Sequence, residues 1–359
     1  MATIPRIKIV EAPSQRVIQR PGMAGKVCVI GAFSKRTDTY TPVVCTSLSD
    51  AQDKLGDDIE NYNGDKVLPQ IFNKNGGVSS IIAVSFTTTT ESGGETVVEK
   101  TLTNEKLALA LGALTENYDT LFIAEELSDT QFSACVSYLD NSRESAKPAG
   151  MVAVANRANV TAYQTTAGLF DAGSLYGLII QQFTVNGEQL SLIESGAYYC
   201  GLLSAKKVNQ SFTMKRLDGV EAIYPEYTFS SSSDDGYKLV EAGISVAKVL
   251  NRSEDYNVIV NSMQPCGRDV YIERTVNYII REFQLEEFFG EINNDITISA
   301  VKGRLEAVKR RMVNELNLLQ DIDFDVVKTS PSCIEIIIES LTFYGVITCI
   351  DVVLTVEVE

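Results

Sequence analysis

Short apolar runs alternate with segments of helical pattern along the middle of the chain, and this alternation limits the fold more than any other feature. The runs at 27–31, 78–86, 119–124 and 150–156 have the length and apolar content of buried strands. Helical patterns lie between several of them. Such alternation is typical of a sheet with helices on its faces. The sequence therefore predicts a mixed α/β fold built as a layered sheet.

Local signals place the limits of several helices. Ser49 is predicted to cap one helix, and Asp65 is predicted to cap the short helix that follows. The segment 238–250 is predicted to be helical throughout. Two longer helices are predicted near 268–289 and 299–319, the second with an apolar face.

The threonine-rich segment 87–103 is predicted to form a hairpin that turns at Gly93 and Gly94 and extends from the body. The whole chain then divides into four parts. These are an N-terminal arm and linker at 1–26, an α/β domain at 27–250, a C-terminal domain at 251–345 and a C-terminal strand arm at 346–359.

Composition excludes several classes of protein. The formal net charge of −16 argues against a protein that wraps nucleic acid, because phosphate contacts need an excess of Lys and Arg. The sequence has neither a membrane-spanning apolar run nor a secretory signal, so a cytoplasmic origin and no insertion into a membrane are expected. The seven cysteines are scattered singly, which predicts reduced, buried thiols instead of disulfides.

Catalytic motifs are missing from the sequence. The chain has no histidine, which removes the commonest general base and the commonest zinc ligand. The segment GMAGK at 22–26 lacks the spacing and the final Ser or Thr of a phosphate-binding loop. We therefore predict no catalytic residue, no cofactor and no metal site.

One acidic segment, DIDFD at 321–325, has carboxylates at alternate positions, as the first half of a calcium-binding EF-hand loop does. An EF-hand loop would need Gly and Glu where this chain has Val326 and Ser332. The segment is better explained as an edge strand with Ile322 and Phe324 pointing inward.

Both ends of the chain have strand character and opposite charge. In VITCIDVVLTVEVE at 346–359 every even-numbered position is apolar or β-branched, and the odd-numbered positions include Asp351, Glu357 and Glu359. Residues 1–26 carry five basic side chains and one acidic one, whereas residues 334–359 carry five acidic side chains and no basic one. Unpaired terminal strands invite pairing with another chain, so strand exchange between subunits is predicted, and pairing within one subunit is the alternative. The predicted arm residues are Ile7, Lys8, Ile9, Ile350, Val352, Leu354, Val356 and Val358.

A basic cluster stands out in the second long helix of this acidic protein. It has two interpretations, a solvated helix face or a docking surface for an acidic partner. Its members are Lys302, Arg304, Lys309, Arg310 and Arg311.

Several stretches resemble the contractile tail sheath proteins of bacteriophages and phage-tail-like particles. Residues 20–58 are similar to the opening of that family, with a strand ending in Gly and a later helix ending near Leu-Gly. Residues 209–228 resemble its Ser-x-Thr-x-Lys-x-Leu-x-Gly-Val segment, and KLVEAGISVAKVL at 238–250 resembles one of its helices. Residues 271–283 and the long helix that follows look like the C-terminal sheath domain.

The resemblance implies a structural subunit without enzymatic activity. Such subunits form stacked rings of six around a tail tube and contract to drive the tube through a target cell envelope, with N- and C-terminal arms joined to neighbouring subunits. The implied partners are further copies of the chain, the tube protein, and baseplate and tail terminator proteins. The implied location is the tail of a virion or similar particle, assembled in the host cytoplasm, with the basic cluster facing the tube.

Two other functions stay open at this point. The chain could be another self-assembling tail component, such as a tube or baseplate protein. An α/β enzyme acting on a small ligand is the second alternative, and it would need a constellation of reactive side chains that the sequence does not show.

Overall fold

Six strands form the central sheet. They are β2 (Lys26–Gly31), β3 (Val43–Cys45), β4 (Ser80–Ser85), β7 (Thr120–Ile123), β8 (Gly150–Val154) and β9 (Leu175–Ile179). Their order in the sheet is β3-β4-β2-β7-β8-β9, and all are parallel to one another except β3, which pairs antiparallel at one edge. The computed structural model describes residues 9–11, 25–37, 39–73, 78, 80–92, 95–145, 147–170, 174–283, 285, 288, 291–330 and 332–344.

Helices cover both faces of this sheet. One face packs against α1 (Leu48–Leu55), α2 (Asn63–Ile71) and α6 (Leu192–Ala205). The other packs against α3 (Asn104–Gly112), α4 (Asp129–Glu144), α5 (Val160–Ala167) and α7 (Asp235–Glu241). Parallel strands covered on both faces are expected to be continuously apolar, and every residue of β7 and β8 is buried. The prediction of a layered α/β fold is confirmed.

Three small antiparallel units surround this body. They are the hairpin β5 (Thr88–Ser92) and β6 (Glu95–Glu99), the sheet of β10 (Gln182–Val185), β11 (Glu188–Gln189) and β12 (Val220–Tyr224), and the pair β13 (Ala247–Asn251) and β14 (Tyr256–Ile259). Short 3₁₀ turns lie at Gly168–Phe170 and Arg252–Glu254. The predicted hairpin within 87–103 is confirmed, while its turn residues Gly93 and Gly94 lie outside the described residues.

A separate apolar core lies in the C-terminal third of the chain. It is built from α8 (Val270–Glu282), α9 (Asp295–Arg310), a π-helical turn (Arg311–Glu315), β15 (Asp321–Ser330) and β16 (Cys333–Thr342). β15 and β16 pair antiparallel, and β1 (Ile9–Glu11) lies on the other side of β16. β15 is therefore an edge strand with Ile322 fully buried, as predicted for the DIDFD segment.

Two predicted caps are wrong. The N-cap of α1 is Ser47, not Ser49, because the Ser47 hydroxyl accepts a hydrogen bond from the backbone N–H of Asp50 at 3.1 Å. Asp65 lies inside the first turn of α2 and is buried. Its carboxylate accepts hydrogen bonds from the backbone N–H groups of Ser34 (3.3 Å) and Asp58 (3.0 Å), so it ties two loops to the helix.

The predicted helix at 238–250 is also wrong, because it combines a helix with a strand. α7 ends at Glu241, and Gly243 has φ +77°, a left-handed conformation that ends helices and favours glycine. A Cβ atom on Gly243 would lie 2.2 Å from the backbone nitrogen of Pro265. The chain then forms β13, which pairs with β14.

The two long helices are shorter than predicted. α8 ends at Glu282, well before residue 289. α9 begins four residues early, at Asp295, because the Asn294 side chain accepts hydrogen bonds from the first N–H groups of the helix. The sequence did not predict α5, β11 or β12.

Among the helices of the described residues, none combines the length and apolar character needed to cross a bilayer. The division of the chain into domains at residues 26, 250 and 345 stays a prediction.

Candidate assembly surface

The outer edge of β16 is the most distinctive feature of the C-terminal sheet. β1 runs parallel to β16 and pairs Ile9 with Ile336 and Glu11 with Ile338. This contact covers only three of the ten residues of β16. On that side of β16 the described part of the chain provides no further strand. An edge of this kind presents unpaired N–H and C=O groups to any strand that reaches it.

The core-facing side of β16 is apolar, whereas its opposite face carries Glu335 and Glu339 as well as Ile337. Ile336 and Ile338 are buried in the C-terminal core, and Ile337 between them is half-buried on the opposite face. A register shift between Asp323 and Phe324 of β15 marks a bulge in the pairing with β16. β16 thus pairs with β15 along almost its whole length on one side and with β1 over three residues on the other.

Most of the predicted arm residues cannot be placed. Ile9 is the one arm residue in a described strand, and there it pairs within its own chain. Pairing with a neighbouring copy stays a prediction. The other predicted arm residues, which lie outside the described residues, are Ile7, Lys8, Ile350, Val352, Leu354, Val356 and Val358.

The basic cluster of α9 is partly neutralised within the chain. Lys302 Nζ lies 2.9 Å from Asp325 Oδ1, and Lys309 Nζ lies 2.9 Å from Asp321 Oδ1. The alternating carboxylates of the DIDFD segment therefore form ion pairs with lysines on α9. Among the described residues, no group of acidic and cysteine side chains could hold a metal ion.

The three arginines of the cluster differ in their surroundings. Arg311 Nη1 lies 3.6 Å from Glu282 Oε2. Arg304 is exposed and also interacts within the chain. Arg310 is exposed, and no carboxylate of the described residues pairs with it. Arg310 is thus the member of the cluster with the most charge available to a partner.

The cysteines behave mostly as predicted. Cys28, Cys45, Cys135 and Cys200 are buried and free. Burial raises the pKa of Cys135 to about 12 and that of Cys200 to about 12, so both thiols stay protonated at neutral pH. Cys333 on β16 is an exception, because it is exposed.

A small polar cavity lies where β2 and β7 end. Its volume is about 370 Å³, and it is lined in part by Asn63, Lys100 and Glu125. Burial raises the pKa of Glu125, whose carboxylate accepts a hydrogen bond from Asn63 Nδ2 at 3.0 Å. The lining can bind a polar group, but it does not pair a nucleophile with a base, as the alternative of an enzyme would require.

Sequence reasoning missed the polar contacts that join α8 to the sheet. Glu273 on α8 is fully buried and forms ion pairs with Arg143 and with Arg268 (3.3 Å). Arg281, two turns further along α8, forms an ion pair with Asp119. The signal was present in the sequence, because Glu273, Asn277 and Arg281 recur every four residues among apolar neighbours.

The fold is similar to that of solved tail sheath structures. The sheath tail protein of Listeria innocua superimposes with a TM-score of 0.67 at 10% sequence identity, covering 89% of this chain and 96% of that one. A chain of the anti-feeding prophage baseplate gives 0.68 at 14% identity and covers 100% of both chains. A chain of the contracted helical sheath of the same particle gives 0.64 at 15% identity and covers 99% of both.

No protein-family model and no curated protein matches the sequence. The structural similarity nevertheless extends over almost the whole length of the chain, and it includes the C-terminal sheet as well as the α/β body. The resemblance noted in the sequence is confirmed at the level of the fold. This chain has the fold of the tail sheath proteins.

Proposed function

We propose that this chain is a structural, non-enzymatic subunit of a contractile tail sheath. Copies would stack as rings of six around a tail tube and contract to drive the tube through a target cell envelope. Its similarity to a chain of a contracted helical sheath over 99% of its length supports this assignment. The energy of contraction would come from the difference between two lattices of the same subunits.

The observation that carries the proposal is the edge of β16 that faces β1, where the described residues provide no other strand. β1 occupies three residues of this edge, and the rest of the edge can accept another strand. Backbone hydrogen bonds to β16 are the same whether the strand comes from its own chain or from a neighbour. Exchange of terminal strands therefore conserves these bonds and links subunits, and head-to-tail links propagate along a ring or helix.

The conformational entropy and the hydrogen-bond energy of one terminal strand explain why many such contacts are needed. Ordering the three residues of β1 costs about 3 to 6 kcal/mol of conformational entropy. Each hydrogen bond returns only about 0.5 to 1.5 kcal/mol. A single terminal strand is thus close to energetic balance, so a stable sheath needs the second arm at 346–359 and many simultaneous contacts.

The basic cluster of α9 is the candidate contact with the tube. Lys302 and Lys309 already pair with β15, so the exposed Arg310 is the more suitable contact for an acidic tube surface. Baseplate and tail terminator proteins would bind the two ends of the sheath. Assembly would occur in the host cytoplasm, and the finished sheath would belong to the tail of a virion or similar particle.

Substitutions in the C-terminal arm test this proposal. Replacing Val352 and Leu354 by Asp should leave a folded body, with unchanged circular dichroism, that no longer forms long tubes in electron micrographs. The matched control replaces the same two residues by Ile, which keeps the strand propensity, and it should assemble normally. Tubes of normal length from the Asp variant would reject the arm model.

A baseplate-proximal role is the second candidate, because a chain of the anti-feeding prophage baseplate matches over its full length. A baseplate component would form a single ring of fixed size. A sheath subunit would form tubes that shorten on contraction, so imaging of the purified protein separates the two functions.

A further inference from the structure

The polar cavity at the ends of β2 and β7 lies where the winding of the central sheet changes direction. The chain leaves β2 toward β3 and β4 on one side, whereas it leaves β7 toward β8 on the other. Loops that diverge in this way leave a crevice at the carboxyl ends of two neighbouring parallel strands, and ligands of open α/β sheets bind at such crevices. Ala32, directly after β2, and Glu125, two residues after β7, both line the cavity.

The side-chain nitrogen donors of the lining already have partners within the chain. Lys100 Nζ donates a hydrogen bond to the carbonyl oxygen of Asn61 at 3.2 Å and lies 4.0 Å from the centre of the Tyr62 ring. Gln131 Nε2 donates to a backbone carbonyl oxygen at 3.1 Å. Asn61 Nδ2 donates to the carboxylate of Asp58 at 3.0 Å. The lining therefore offers little to an anion.

The carboxylates of the lining, in contrast, keep most of their capacity to accept hydrogen bonds. Half-buried Glu125 accepts one hydrogen bond, from Asn63 Nδ2 at 3.0 Å, although a carboxylate can accept about four. Glu126 is exposed, and no donor among the described residues pairs with it. Burial raises the pKa of Glu125, and the charge of Glu126 raises it further. A positive charge in the cavity would offset both effects.

We propose that this cavity binds a small organic cation through an alkylammonium or guanidinium group, which Glu125 and Glu126 accept as a hydrogen-bond donor. Both groups only donate hydrogen bonds, and they match a lining in which one lysine faces two glutamates. The volume of about 370 Å³ is at the lower end of the range of small-ligand sites.

A divalent metal ion fits this cavity less well than an organic cation. Hard cations such as Ca²⁺ take six or more oxygen ligands, several of them carboxylates. The described residues contain no group of three side chains that could hold a metal ion. The organic cation could be a free molecule or a Lys or Arg side chain of another copy, because both present the same group. The site is independent of the proposed sheath function.

Titration of the unassembled full chain with methylguanidinium chloride tests the site. Chemical shifts of the backbone amides around the cavity should change with saturable dependence on methylguanidinium at constant ionic strength. Methylurea has nearly the same shape but no charge, and it should not bind. Failure of methylguanidinium to bind, or equal binding of methylurea, would overturn the proposal.

A conservative variant assigns the binding to the cavity. Glu125→Gln keeps the size of the side chain and removes its charge, so it should weaken methylguanidinium binding about tenfold or more. Glu188→Gln, on exposed β11, is the matched control and should bind as the unmodified chain does. Equal affinity of all three proteins would contradict the assignment. If Glu125→Gln does not fold, Glu126→Gln provides the same test at an exposed position.

Polymers of the chain distinguish the two sources of the cation. If a side chain of a neighbouring copy fills the cavity, assembly should abolish methylguanidinium binding. If the natural ligand is a free molecule, polymers and single subunits should bind methylguanidinium equally well. Because the first titrations use unassembled protein, their failure would overturn the cation site without affecting the proposed sheath function.

Discussion

Lys309 Nζ lies 2.9 Å from Asp321 Oδ1, and this ion pair joins the basic face of α9 to the acidic strand β15. Lys302 and Asp325 form the second such pair. Seven helical residues separate the two lysines and span about 10.5 Å, while four strand residues separate the two aspartates and span about 13 Å. The two spacings match closely enough for both pairs to form with the helix antiparallel to the strand.

Reversing one charge of the Lys309–Asp321 pair should destabilise the protein, and reversing both charges should restore most of the lost stability. Lys309→Glu and Asp321→Lys should each lower the free energy of unfolding by about 0.5 to 1 kcal/mol, because both side chains are partly exposed. The double variant should recover most of this loss in urea denaturation. Losses that simply add in the double variant would show that the two residues do not interact.

The α9–β15 contact should weaken in acid. The hydrogen bond from Lys302 lowers the pKa of Asp325 below its usual value. Because the pKa of Asp325 is lower in the folded state, its carboxylate stabilises the fold at pH values above about 4, the ordinary carboxyl pKa. This stabilisation is lost as the pH falls through the lowered pKa. Asp325→Asn should therefore lose less stability than the unmodified chain between about pH 5 and pH 2. Asp57→Asn, in the loop after α1, is the control, and identical acid sensitivity of Asp325→Asn and the unmodified chain would contradict the assignment.

Two glycines should respond in opposite ways to alanine. A Cβ atom at Gly64 of α2 would lie 2.3 Å from the carbonyl oxygen of Ala32, so Gly64→Ala should cost about 1 to 3 kcal/mol. A Cβ atom at Gly303 of α9 meets nothing within 4 Å, so Gly303→Ala should stabilise the protein by about 0.5 to 1 kcal/mol. Chemical denaturation measures both changes, and a neutral Gly64→Ala would show that α2 is not packed closely on β2.

Reversing the positive charge of the N-terminal arm should weaken assembly. Arg6→Glu with Lys8→Glu places acidic residues on an arm that is proposed to lie near the acidic C-terminal segment. The defect should be larger at low salt, because screening is weaker there. Sedimentation of polymers at two salt concentrations measures it. Normal assembly at both would remove the electrostatic part of the arm model.

The strands of the central sheet could be predicted because each is a short apolar run, and its length and composition can be recognised in the sequence. β7 and β8, for example, lie within one or two residues of their predicted limits. The segment around Gly243 could not be predicted, because a left-handed glycine interrupts an apolar pattern that suits a helix on one side and a strand on the other. Propensity alone does not locate such a break.

The candidate surface was only partly predictable. The DIDFD segment was correctly predicted to be an edge strand, but nothing in the sequence paired its aspartates with Lys302 and Lys309 of the preceding helix. The polar face of α8 was overlooked because buried charges such as Glu273 resemble surface charges until their partners are known. Ile9 was assigned to a terminal strand by alternation, and the structure places it on β16.

Cryo-electron microscopy of polymers of the full-length protein tests the central claim most directly. The account predicts a helical tube in which the terminal strands at residues 7–9 or 346–359 lie in the sheet of β15 and β16 of a neighbouring copy. A reconstruction in which both terminal segments pair only with β16 of their own subunit would contradict it.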